Sequence, residues 1–115
     1  MRRWLVAAAL LCSESAFAAD YRKCIALDQA EGEAMAALSR DLDRLAATRE
    51  EERERQRCGV KPTAPDRLGG WYECIYGTTP YANAAERERY EQPIRTAHDR
   101  RISAIFAEQT KLGCP

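Results

Sequence analysis

Apolar residues recur every three to four positions along two long stretches of this chain, with a short stretch rich in glycine and proline between them. In the first, from Asp20 to Cys58, Met35, Leu38, Leu42 and Leu45 fall on one helical stripe. No proline interrupts it, and alanine, leucine, glutamate and arginine, the strongest helix formers, dominate. Asp20 offers an N-cap and Gly59 a C-terminal stop. Gly32 weakens the middle by about 1 kcal/mol relative to alanine and marks a candidate kink. In the second stretch Tyr90, Ile94, Ala97, Ile102, Ile105, Phe106 and Leu112 share a side, Asn83 with Glu86 reads as a capping box, and Gly113 closes the end. Pro93 falls inside this pattern and must either kink the helix or divide it.

Antiparallel pairing of the two stripes has one register that satisfies several demands together. Setting Leu45 against Ile94 brings Leu42 to Ala97, Leu38 near Ile102 and Met35 near Ile105. The same register sets Arg49 against Tyr90, Arg53 against Glu86, and Cys24 within a turn of Cys114. Agreement between apolar stripes, charges and cysteines in one register is a strong signal for a helical hairpin.

Beyond the leader described below, the chain keeps Cys24, Cys58, Cys74 and Cys114, an even set that reads as two disulfides. A zinc site fails on spacing, because there is no C-x-x-C pair and the lone histidine, His98, lies far from any cysteine. At 1.5 Å per residue a helix from Cys24 to Cys58 spans about 51 Å, and one from Ala82 to Cys114 about 48 Å. Bridged Cα atoms lie within about 7 Å, so Cys24–Cys58 is excluded, and Cys58–Cys114 would join opposite ends of the hairpin. The remaining pairing is Cys24–Cys114 at the base and Cys58–Cys74 at the turn. The expected fold is all-α: an antiparallel helical hairpin, open to kinks that would make three or four helices of it, stapled by two disulfides and joined by an aromatic-rich loop.

Residues 1–18 read as a cleaved secretory leader. They carry a basic start at Arg2 and Arg3, an apolar run from Trp4 to Cys12, and the small-x-small site Ala16-Phe17-Ala18. The apolar run is about nine residues, where a spanning helix needs roughly twenty, so no integral membrane segment is expected. Leu11, before Cys12, is too large for a lipoprotein site. Residues 19–115 then form a single small helical domain in the periplasm or outside the cell.

Charge narrows the partners. Lysine and arginine number 18 and aspartate and glutamate 18, and losing the leader moves the balance only to about −1, so neither nucleic acid nor an anionic membrane is indicated. The run Arg49 to Arg57 reads as a solvated helix end held by its own pairs, Glu51 with Arg55, Glu50 with Arg53 and Glu54 with Arg57.

Candidate chemistry concentrates in the loop. Trp71, Tyr72, Tyr76 and Tyr81 lie in or beside a bridge-constrained turn, and rigid amphipathic aromatics on a fixed loop are the material of binding hot spots. The competing reading packs these rings over the Cys58–Cys74 bridge as a satellite core. No cofactor, metal or catalytic set is expected: the thiols are spoken for, His98 reads as a surface or satisfied histidine, and no phosphate-cradling loop occurs. The expectation is a non-enzymatic protein that binds another protein, inhibitor- or adaptor-like, through its aromatic loop. The alternative is a structural or chaperone-like module that acts through its helix faces as a homodimer, since Ile25 and Phe106 would be left partly uncovered.

Overall fold

A computed structural model describes the backbone of residues 2–115 and the side chains of residues 20–115; the expected leader lies outside the residues whose side chains are described. Three helices make up the fold: α1 (Arg2–Cys58), α2 (Pro65–Tyr76) and α3 (Ala84–Leu112). Local chemistry sets their ends. Gly59 and Gly113 adopt φ of 72° and 69°, a conformation that a side chain would resist, and stop α1 and α3. The Cys114 N–H returns to the Gln109 carbonyl at 2.9 Å, satisfying one of the last open acceptors of α3. At its other end the Asn83 side-chain oxygen accepts the Glu86 N–H at 2.8 Å, the cap expected from the sequence.

The helices continue where the sequence suggested they could break. α1 runs through Gly32 and α3 through Pro93. Both positions are exposed, and so is Arg89, whose carbonyl lacks an N–H partner because of Pro93; water can satisfy it there. The third helix comes instead from the connection. Its middle, expected as irregular loop, is the twelve-residue helix α2, opened by Pro65 at its first turn.

The fold comprises two compact units, Met1–Ala36 with His98–Pro115, and Ala37–Ala97. In the first, segments of α1 and α3 run antiparallel. Cys24 is bridged to Cys114 with Cα atoms 5.6 Å apart, and Gln109 donates to Asp28 at 3.2 Å. Its core is small: Cys24, Ala34 and Ile105 are buried, with Leu27, Ile102 and Leu112 half-buried. The stripe therefore differs by one position from the sequence reading. Ala34 is 1% exposed and Met35 is 55% exposed, because Ala34 continues the three-to-four spacing of Cys24, Leu27 and Glu31. Phe106, likewise placed on the apolar side, is 48% exposed, and His98 is half-buried.

In the second unit Leu38, Leu42, Leu45 and Ile94 are half-buried, and Cys58 is bridged to Cys74 with Cα atoms 5.7 Å apart. Ala97, assigned to the apolar side by its spacing, is exposed. Arg49, Arg53 and Arg57 recur every four residues and so share one face of α1. That face holds the connection. Arg49 bonds Glu86 at 3.2 Å, Arg53 donates to the Thr79 carbonyl at 2.8 Å, and Arg57 reaches the Gly77 carbonyl at 3.2 Å. Glu51 does pair with Arg55, at 3.9 Å, but Arg53 and Arg57 turn to the loop in place of Glu50 and Glu54. A carbonyl fixed in a turn needs a donor, whereas Glu50 and Glu54, half-buried on the helix surface, still reach water.

Candidate functional site

The four aromatic residues singled out in the sequence occupy two places in the second unit. Trp71, Tyr72 and Tyr76 lie on α2. Leu68, Trp71, Cys74 and Ile75 make its inner, half-buried side, and Tyr72 and Tyr76 are exposed. The Trp71 indole N–H donates to the Gly59 carbonyl at 3.4 Å, which ties the helix to the end of α1. The rings form a chain: Trp71 meets Tyr72 edge-on at 5.1 Å between centroids, and Tyr72 stacks with Tyr76 at 6.3 Å. Exposure thus divides the rings of α2. Trp71 packs inward near the bridge, and Tyr76, 84% exposed, faces water.

Lys61 belongs to this cluster and was not foreseen. Its ammonium lies 5.8 Å from the Trp71 ring centre and 5.6 Å from that of Tyr72, within reach of a cation–π attraction. Nothing in its sequence neighbourhood points to this contact, because it depends on how the segment between α1 and α2 folds back. Thr78 was missed as well. It is 5% exposed, donates to the Cys74 carbonyl at 2.9 Å and accepts from Arg57 at 3.1 Å, closing the C-terminus of α2.

Tyr81 is placed elsewhere. It is half-buried, with its ring 6.3 Å from Tyr90, and the Arg49 guanidinium covers Tyr90 at 4.0 Å. Burial, and then the nearby Glu91 charge, push the Tyr81 phenol above its ordinary value. Glu91 is itself buried, 7% exposed, and is gripped by Arg87 at 3.0 Å and Arg95 at 2.7 Å, one turn to either side on α3. Burial would push its carboxyl up; the hydrogen bonds from Arg95 and Arg87, with their charges, outweigh that and hold it below the usual glutamate range. A general acid or base works best with a pKa near the operating pH, and this carboxylate is driven the other way. The Tyr81–Tyr90 contact joins the connection to α3, and Glu91 is held within α3 by its two arginines.

The exposed part of the candidate site is thus Tyr72 and Tyr76, positioned by Trp71, Lys61 and the Cys58–Cys74 bridge. Among the described residues no helix is long and apolar enough to cross a membrane. The chain matches no protein family, no curated protein and no solved structure.

Proposed function

We propose that this is an exported protein of the periplasm or the extracellular space that binds another protein, inhibitor- or adaptor-like, through the outward side of α2, and that it is not an enzyme. One observation carries the reading: Tyr76 and Tyr72 stand 84% and 38% exposed on a short helix whose other side is fixed by a disulfide. Tyr76, with most of its surface in water, buries little for the fold. Preorganised on a rigid support, it contributes contact area to a partner with little ordering cost. Two disulfides are compatible with an oxidising compartment, which supports the export half of the proposal.

The test is capture from the cell envelope with the oxidised protein and with Tyr72→Ala/Tyr76→Ala as comparison. The variant keeps its helicity and melting temperature and loses the captured partner. An unchanged capture profile would remove the α2 face from consideration. Export has its own check: the N-terminus of the recovered protein begins just after Ala18 or Ala19.

A second reading has one observation of its own. Tyr21, Ile25, Met35 and Phe106 are 41% to 59% exposed in the first unit, an apolar surface that suits a module acting through its helix faces as a dimer. Sedimentation of the full chain across a concentration series separates the two: a monomer throughout leaves the α2 reading standing alone.

A further inference from the structure

The outward side of α2 is more specific than an aromatic patch. Asp66, Gly69, Glu73 and Tyr76 follow a 3-4-3 spacing and make one stripe, with Gly70 and Tyr72 to either side. Asp66 and Glu73 are exposed, and neither joins an ion pair among the described residues. The two glycines are not needed by the fold. Neither has positive φ, and a Cβ built on either would have no neighbour within 4 Å. Each nevertheless makes the helix weaker than alanine would at the same place. The stripe has a bare floor with a carboxylate beyond it on either side and two tyrosine rings along one edge.

We propose that this stripe receives a cationic segment of the partner protein, in which arginine or lysine recurs about every third residue of an extended chain. The inference rests on the binding role assigned to α2 above and specifies the chemistry of what binds there. Charge complementarity selects the occupant: two carboxylates without cations of their own face outward together. Asp66 and Glu73 are seven residues apart, about 10 Å along the helix, and three residues of extended chain cover the same distance at roughly 3.3 Å each. The aromatic group already holds a cation within the chain, since Lys61 lies against Trp71 and Tyr72. Tyr76, stacked on Tyr72, carries none among the described residues and offers the next ring to a guanidinium or ammonium. The glycine floor lets the incoming backbone approach closely. A second copy is a poor occupant: two-fold pairing across Gly69 and Gly70 would set Asp66 of one molecule against Glu73 of the other, like charge on like.

Fluorescence polarisation of the oxidised full chain with a labelled peptide of repeating Arg-Ser-Gly tests this, with Gln-Ser-Gly and Glu-Ser-Gly repeats as comparison. The arginine peptide binds, increasingly weakly as salt rises, and the other two do not. Asp66→Asn/Glu73→Gln weakens it about tenfold, two exposed charge contacts' worth. Gly69→Ala/Gly70→Ala weakens it several-fold while raising the melting temperature, two effects of opposite sign that a change in folding alone cannot produce. Equal binding of the glutamine peptide, or undiminished binding by the Asp66→Asn/Glu73→Gln variant, overturns the inference. Envelope capture then separates the two levels. Capture kept by Asp66→Asn/Glu73→Gln but lost by Tyr72→Ala/Tyr76→Ala refutes the cationic segment and leaves the docking face. Capture kept by both refutes both.

Discussion

Replacing Cys24 and Cys114 together by alanine isolates what holds the first unit. That unit buries only Cys24, Ala34 and Ile105, and Gln109 to Asp28 at 3.2 Å is its one side-chain hydrogen bond between helices among the described residues. Burying a side chain such as Ile105 contributes about 1.5–3 kcal/mol, which is small against the entropy of ordering two helical segments. The bridge spans 90 positions, so by loop closure it stabilises against complete unfolding by about 4.6 kcal/mol. If the first unit opens alone, the loop that the bridge closes comprises residues 24–36 and 98–114, and the same relation with about 30 residues gives about 3.6 kcal/mol. The expected effect is a rise of several hundredfold in the opening of the first unit. Native-state hydrogen exchange reads this directly: amides in residues 20–36 and 98–112 lose protection in the variant, while those from 37 to 97 change far less. The matching change at Cys58 and Cys74, 16 positions apart, costs about 3 kcal/mol and acts on the second unit. Protection in the first unit within about fivefold of wild type, about 1 kcal/mol, would show that helix packing holds it without the bridge.

Two further predictions follow from the second unit. Because the Glu91 carboxyl titrates below its ordinary value of 4.5, its contribution is fully present above that value and is lost as the pH falls through the lower, folded-state pKa. Glu91→Gln therefore flattens the acid side of the stability profile and costs about 1 kcal/mol at pH 7, a modest figure because Arg87 and Arg95 are 60% and 48% exposed; denaturant midpoints against pH measure both. Gly69→Ala and Gly70→Ala each stabilise the fold by about 0.5–1 kcal/mol, as rising thermal midpoints, and a fall at either position would mean that the glycines serve the fold after all.

How much could be read without the structure differs from residue to residue. Arg49 opposite Tyr90 was legible, because a long-range helix pair has few registers and ring and cysteine positions selected the same one; the charge partner shifted by a turn, since Glu86 pairs with Arg49 and not with Arg53. The helical state of Pro65 to Tyr76 was not: Gly69 and Gly70 argue against a helix locally, and their cost is overridden by the packing of Leu68, Trp71 and Ile75 and by the bridge. Tyr81 was grouped with Trp71, Tyr72 and Tyr76 by proximity in sequence, yet a residue after the end of α2 is free to turn toward α3, and it packs on Tyr90.

Periodicity, helix-forming composition and cysteine spacing by themselves determined that the chain is all-α, where α1 and α3 stop, and which cysteines can meet, since each follows from local geometry and rod length. Tertiary structure alone decided that Arg53 and Arg57 hold the connection in place of their helix neighbours. It also decided that Lys61 joins the α2 rings. Those choices depend on which side of a helix is covered and on which acceptors the turn leaves open, and neither is set until distant segments of the chain are packed together.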